Sequence, residues 1–348
     1  MKVALFGTYP PPIGGTSIYI KRLADFLSDN NINIAVYDTH GNGIKDKNYV
    51  KKIRYNKKWL IRYLFTISED IIHSHTHSWK DRAALVFISR MRRKKIIFTF
   101  HSLREERNDL TIFEKILVKY VLKKSNIILT AGENERNKLL KWGGINANVR
   151  VIPTFIPPKR EKFYIPMFIK KFINAHKIII TANGSNMNFY KGDDLYGLDM
   201  FIDLCAKLKK DYDIGFIYCL TEITDKNYYN KIINLINDFK LQDNFILVNE
   251  NIELWPIIEK SNLFIRPSNS DGDSISVREA LYYRVPVIAS DVIIRPEGII
   301  LFKSRDNKDL YNKVVSVLDN YNIIKEKIVK IKAKDYAREI LEIYKQIV

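Results

Sequence analysis

Two doubly wound α/β domains, each a parallel sheet with helices on both faces, are what this sequence predicts. Three observations predict them. The chain has 348 residues, longer than a single hydrophobic core usually grows. Short, nearly continuous apolar runs alternate with amphipathic stretches in both halves, the pattern of buried parallel strands joined by helices. Between the halves, residues 152–166 carry four prolines, a poor strand or helix interior and a good domain connection.

Taken in order, KVALFG (2–7), INIAVYD (32–38), DIIHSH (70–75), KIIFTFH (95–101), NIILTAG (126–132) and VRVIPTF (149–155) read as strands. TSIYIKRLADFLSDN and KDRAALVFISRMRR are among the helices between them. A second series starts at KIIITANG (177–184) and continues through DIGFIYCL, NFILVN, NLFIRPS and VPVIASD. The last segment, AKDYAREILEIYKQIV, has helical apolar spacing and no strand after it. The expected domains are therefore residues 1–157, a linker at 158–176, residues 177–330, and a C-terminal helix at 331–348 that packs back on the first domain.

Composition narrows the function. With 46% hydrophobic and 28% charged residues the chain is globular rather than disordered. No apolar run approaches the roughly 18 residues of a membrane-spanning helix, and the N-terminus is too short in apolar residues for a signal peptide. A cytosolic protein is expected. The only cysteines, Cys205 and Cys219, are too few for a disulfide framework or a four-ligand zinc site. Net charge is +18, and residues 1–150 hold 28 basic against 13 acidic side chains. Such a field on one domain suggests an anionic partner, nucleic acid or a membrane surface. No helix-turn-helix, zinc finger or aromatic RNA-binding signature is present, so nucleic acid is disfavoured.

Ligands of such sheets bind beyond the carboxyl ends of the strands, which selects four places. In GTYPPPIGGTSIYIKRL, Gly14 and Gly15 precede a helix starting at Thr16, whose free amides favour a phosphate. The spacing from Gly7 is not the GxGxxG dinucleotide fingerprint. His73, His75 and His77 alternate in HSHTH, on one face of an extended strand, and His101 closes the neighbouring strand. Metal binding or ordinary structural histidines compete there with hydrogen bonding to a polar ligand. In NGSNMNFYKGDD, Lys191 follows a Gly- and Asn-rich turn, a position suited to neutralising a diphosphate. In RPSNSDGDSISVREAL, Asp271 and Glu279 flank Gly272 and Asp273, taken with them as donor-binding residues, and Ser274, Ile275 and Ser276, whose amides open the next helix. One carboxylate there suits sugar hydroxyls and the other a ribose diol; alternatively, Ser276 and Glu279 form a capping box.

These four places, in this order, resemble the family 4 retaining glycosyltransferases of the two-domain GT-B fold, in which two Rossmann-like domains face each other across a cleft. The segment SDGDSISVREALYYRVPVIASD is similar to that family's Glu-Gly-Phe-Gly-x4-Glu-Ala run, and RPEGIILF to its Pro-Glu step. The resemblance implies that Gly15 and Thr16 contact a donor diphosphate. It makes His101 the active-site histidine, Lys191 the phosphate lysine, Asp271 the sugar-binding acid and Glu279 the ribose ligand. The chain departs from the pattern at three points. The first acid is Asp, Phe-Gly is replaced by Asp273-Ser274, and the Arg expected five residues before the lysine is Asn186. Arg266, ending the preceding strand, is a candidate replacement at the phosphate, against a plain salt bridge.

The sequence thus predicts a nucleotide-sugar glycosyltransferase that moves a hexose-type sugar with retention to a lipid-linked or glycan acceptor in surface polysaccharide assembly, such as O-antigen or capsule. No cofactor or metal is expected, because Lys191 and helix amides can stabilise a departing diphosphate. A nonhydrolysing nucleotide-sugar epimerase is the alternative within a related fold. Basic stretches at 47–64, 90–95 and 115–124, interleaved with Trp59, Tyr63, Phe65 and Tyr120, suggest peripheral docking on an anionic membrane. Base choice is expected from the loop at 247–255.

Overall fold

The computed structural model describes residues 1–41, 47–53, 56–103, 105–143, 148–160, 163–250, 252–331 and 334–348. Arg54 and Tyr55 of the first basic stretch and Asn251 of the 247–255 loop lie outside the described residues. The chain divides into two compact units, one of Met1–Ile156 with Asp335–Val348 and one of Pro157–Lys334.

The first unit opens with β1 (Lys2–Gly7), α1 (Gly15–Asp29), β2 (Asn33–Asp38), β3 (Val50–Lys52) and α2 (Lys57–Thr66). It continues through β4 (Ile71–Ser74), α3 (Trp79–Met91), β5 (Lys95–Phe100), α4 (Ile112–Lys124), β6 (Ile127–Thr130), α5 (Glu133–Lys141) and β7 (Val149–Val151). Its sheet runs in the order β3-β2-β1-β4-β5-β6-β7, and every pairing is parallel. The central strands are apolar on both faces, as a sheet covered on two sides requires; Val3, Ala4, Leu5 and Phe6 are all fully buried. Capping follows sequence at α4, where Thr111 accepts from the Glu114 amide and the Glu114 carboxylate accepts from the Thr111 amide. The edge strand β3 was not expected, since only Val50 of its three residues is buried and no alternation marks it.

The second unit begins with α6 (Met167–Ala175), inside the stretch expected as a linker. Ile169 of α6 packs with Ile179, Ile217, Val248 and Ile257, so this segment belongs to the second core. There follow β8 (Ile178–Gly184), the two-stranded hairpin β9 (Phe189–Tyr190) and β10 (Asp193–Asp194), α7 (Leu198–Leu208), β11 (Ile214–Leu220) and α8 (Lys226–Asp238). Then come β12 (Phe245–Val248), α9 (Trp255–Glu259), β13 (Leu263–Arg266), α10 (Ile275–Tyr282), β14 (Val287–Ser290), β15 (Ile300–Phe302), α11 (Asn307–Asp319) and α12 (Tyr321–Val329). The parallel sheet is ordered β12-β11-β8-β13-β14-β15. Finally α13 (Tyr336–Ile347) joins the first unit, burying Ala337, Ile340, Leu341, Ile343 and Tyr344.

Strand order reverses direction between β1 and β4 in one sheet and between β8 and β13 in the other. A crevice opens beyond the strands at such a reversal, because the connections on either side leave toward opposite faces. Close packing tightens the first of these places. A Cβ on Gly7, the last residue of β1, would collide with Ile20 of α1 and stand 3.2 Å from the His75 Cβ.

Candidate functional site

At the first reversal β4 ends at Ser74, and the His75 amide continues the ladder by donating to the Phe6 carbonyl at 2.8 Å. His73 and His75 share a face, with ring centroids 4.4 Å apart. His75 Nδ1 lies 3.0 Å from Nε2 of His101, which follows β5. Tyr19 of α1 meets both His75 and His101 edge-on at 5.5 and 5.3 Å. His73 is fully engaged, its Nε2 with Thr99 Oγ1 at 2.7 Å and its Nδ1 with the Tyr344 hydroxyl of α13. Burial, reinforced by the His101 ring, pushes His73 down to about 3. Burial likewise holds His75 and His101 well below the ordinary imidazole value, with the neighbouring histidines acting in the same direction. All three rings are therefore neutral at pH 7, suited to hydrogen bonding a hydroxyl rather than to pairing with an anion.

The expectation that the three alternating histidines share one face fails at His77. That residue is exposed, because the strand and its alternation stop three residues earlier. Among the described residues no group of three or more His, Cys, Asp or Glu is arranged to hold a metal ion. Beside the histidines, α1 starts at Gly15 with Gly14 as its N-cap, and no side chain caps the first turn. The Gly14 amide donates instead to Ser17 Oγ at 2.9 Å, and that hydroxyl donates to the Pro12 carbonyl at 2.7 Å. Gly15 is exposed and Thr16 half-buried.

At the second reversal, Arg266 at the end of β13 reaches across to β8. Its Nη1 donates to the Asn183 carbonyl at 2.9 Å and to Asn183 Oδ1 at 3.2 Å. Its Nε and Nη2 grip Asp271 bidentately, both at 2.9 Å. Arg295, in the loop after β14, donates from Nη1 to the same carboxylate at 2.8 Å. Ser268 Oγ and the Gly272 amide also donate to Asp271, both at 3.1 Å. A carboxylate has about four lone-pair sites, and these five donors saturate it. Asp271 therefore has no free acceptor for sugar hydroxyls here, Gly272 spends its amide on the same carboxylate, and Arg266 is paired with it in a buried salt bridge. Burial works to raise the Asp271 carboxyl, but Arg266 and Arg295 outweigh it and hold it below the usual carboxylate range.

The first turn of α10 is tied to this cluster. Ser276 Oγ donates to Asn183 Oδ1 at 2.9 Å and lies 2.9 Å from Ser274 Oγ. The helix begins at Ile275 with Ser274 as N-cap and no side-chain cap, so the capping box between Ser276 and Glu279 does not form. Ser276 sits two residues inside the N-cap, too far into the helix for it. Glu279 itself is buried on α10. Asp273, expected among the donor contacts, is gripped by Arg278 Nε through both carboxylate oxygens at 2.6 and 2.7 Å. Lys191 stands at the tip of the β9–β10 hairpin, where it and Gly192 take positive φ (54° and 89°) in a two-residue turn. It is exposed, with its Nζ 5.5 Å over the Tyr190 ring and no ion pair among the described residues. Asn186 Oδ1 is buried without a hydrogen-bond partner.

Sequence reasoning missed Arg295 and Asn183. Arg295 stands directly before the Pro-Glu step that drew attention to its segment, and an unpaired-looking Arg at the end of a β-strand loop was the signal available. Asn183 ends an otherwise apolar strand, where a polar side chain marks a ligand-facing or network position.

Comparison with known proteins follows the same division. Residues 13–160 match the sequence family Glycosyltransferase Family 4, and residues 182–338 match Glycosyl transferases group 1. A protein of Methanocaldococcus jannaschii described as an uncharacterized glycosyltransferase is 22% identical, the alignment covering 98% of this chain and 91% of that one. Among solved structures, a glycosyltransferase from Rickettsia africae superposes with a TM-score of 0.78 at 15% identity, covering 99% of this chain and 98% of the other. Anabaena HepE in complex with UDP-glucose superposes at 0.74 with 12% identity, covering 99% and 100%.

Proposed function

The chain belongs to the GT-B glycosyltransferases, and from that premise we propose that it moves a hexose-type sugar from a nucleotide sugar to a lipid-linked or glycan acceptor in surface polysaccharide assembly, with retention. The observation that carries the donor half is the cationic cluster at the β8/β13 reversal, joined through Asn183 and Ser276 to the first turn of α10. There Glu279 takes the ribose and Lys191 the departing diphosphate, with no metal needed to offset its charge. In the first unit, the neutral His101 beside the start of α1 is the active-site histidine of this reading. Retention follows from same-face attack, the leaving phosphate helping to deprotonate the acceptor.

Mass spectrometry of donor and products tests this reading. Transfer predicts that the donor is consumed and a glycosylated product appears only when lipid-linked or glycan acceptor is present. An isomerised nucleotide sugar formed without acceptor would replace it with the epimerase. Glu279→Gln should weaken nucleotide binding about tenfold, a loss of roughly 1.4 kcal/mol, while the melting temperature stays nearly constant, since the amide preserves the shape of the side chain. Lost stability with donor affinity intact would make Glu279 a structural residue.

The proposal includes docking on an anionic membrane. Among the described residues no helix is long and apolar enough to cross one. Ile61 and Phe65 of α2, Phe87 and Met91 of α3, and Ile112, Phe113 and Ile116 of α4 are exposed. Lys51, Lys52, Lys57, Lys58 and Arg62 are exposed nearby in sequence, without an acidic partner among the described residues. Lys51 and Arg62 also line a cavity of about 260 Å³ with Tyr37, Trp59 and Tyr63. Tyr63 is buried, and Trp59 and Tyr120 pack against the core, so these three do not offer the lipid contact their position in the basic stretches suggested. Phe65 is 72% exposed and does. Liposome flotation should show binding to anionic vesicles that falls with salt and weakens when Lys51, Lys52, Lys57 and Lys58 become Glu. Absence of binding at low salt would remove the membrane from the proposal.

A further inference from the structure

We infer that the buried Arg266–Asp271–Arg295 cluster is the cationic centre that receives the donor diphosphate in this chain, with Arg295 supplying the charge that Asp271 leaves uncancelled. The inference rests on the donor-site reading above and says which residues answer for the arginine missing at position 186.

Two guanidiniums share one carboxylate, and the three side chains are only 7%, 2% and 5% exposed for Arg266, Arg295 and Asp271. Two guanidiniums against one carboxylate leave the cluster with a net positive charge taken out of water. Asp194, a further buried carboxylate of this unit, spends its oxygens on the Tyr228 hydroxyl and the Tyr196 and Gly197 amides rather than on the arginines. Buried charge in excess of its partner carboxylate is costly, and an anionic ligand at the edge of the cluster offsets that cost.

Arg266 bridges β13 to Asn183 of β8, across the point where strand order reverses, and Ser276 links Asn183 to the start of α10. A phosphate placed there meets the field of the cluster and the helix amides together. Asn186 can only contribute a neutral amide, and its buried oxygen is electron-rich. In this arrangement Asp271 is a positioning residue. It fixes both guanidiniums, whose donors are largely spent within the cluster, so the centre acts chiefly through its field.

Calorimetric titration of the full-length protein tests the idea. The wild type is offered UDP, GDP, ADP and dTDP, and the diphosphate it selects is compared with the matching nucleoside. Arg295→Met should cut the preference for diphosphate over nucleoside at least tenfold while nucleoside affinity stays within about twofold. Arg295→Lys, which keeps the charge and loses the fork, should retain most of the preference, and inorganic pyrophosphate should compete with the nucleotide in the wild type but poorly in Arg295→Met. If Arg295→Met does not fold, Arg295→Gln against Arg295→Lys makes the same comparison. A folded, uncharged variant with the full preference, or a lysine variant that loses as much as the uncharged one, overturns the inference and leaves the donor site standing. A wild type that binds none of the four diphosphates overturns the donor-site reading itself.

Discussion

Replacing Asp271 by alanine is expected to destabilise the second unit by about 3–5 kcal/mol. The carboxylate accepts from Arg266 Nε and Nη2, Arg295 Nη1, Ser268 Oγ and the Gly272 amide. Its removal strands two guanidiniums that are almost completely buried, and breaking one side of a buried ion pair costs far more than the pair contributes to stability when intact. The pH dependence has a definite sign. Because the arginines hold the folded carboxyl below its ordinary range, its contribution is fully present above the unfolded pKa near 4 and is lost as pH falls through that value and below. Urea unfolding of wild type and Asp271→Ala should therefore differ most at pH 6–7 and converge in acid. The second unit's transition must be followed by itself, since two units need not unfold together. A difference under about 1 kcal/mol at pH 7 would mean that water reaches the arginines and that they do not form a desolvated cluster.

Much of this architecture is legible in the sequence because buried parallel strands leave a strong trace. After their leading Lys2, Lys95 and Asp213, KVALFG, KIIFTF and DIGFIYCL are nearly continuously apolar on both faces, and each became an interior strand. The elements that escaped notice are those with little to bury. β3 hides one side chain, the β9–β10 hairpin pairs only two residues with two, and β15 is three residues at a sheet edge. The segment 158–176 reads as a linker from its prolines, yet the apolar residues of α6 follow the last of them and find a core.

The candidate site divides in the same way. Residues chosen by their place at strand ends, His101, Asp271 and Glu279, do lie at or beside the two reversals of strand order. What spacing could not reveal is partnership. Asp271 and Asp273 look like free acids in a line of sequence, and each proves to be held by an arginine, one of them 24 residues downstream. A capping box requires the helix to start at one particular residue, and a start at Ile275 cancels the box that Ser276 and Glu279 spell out. Such differences of a residue or two in register are decided by tertiary contacts, here the Ser276 bond to Asn183 on another strand.

Lys191→Ala is expected to lower kcat by about 10²–10³-fold, the effect of removing one preorganised group that meets charge developing in a transition state. Diphosphate departure places negative charge where the ground-state nucleotide sugar has less of it, so a lysine that meets this charge acts on turnover more than on donor binding. The buried cluster and the lysine are separable on that basis: Arg295 governs how tightly the diphosphate binds, Lys191 how fast it leaves. The lysine is also a clean target. It is exposed at a hairpin tip, makes no ion pair among the described residues, and is followed by Gly192, which relieves the turn of strain. Alanine there should shift stability by no more than about 0.5 kcal/mol, so a loss of turnover cannot be traced to unfolding. Lys191→Arg provides the control, because it keeps the charge at a different reach and should recover part of the rate. The measurement is single-turnover transfer at saturating donor, with the melting temperature recorded for each variant. Turnover within about threefold of the wild type for the alanine variant would return Lys191 to the solvent and leave departure of the diphosphate to the buried arginines and the first turn of α10.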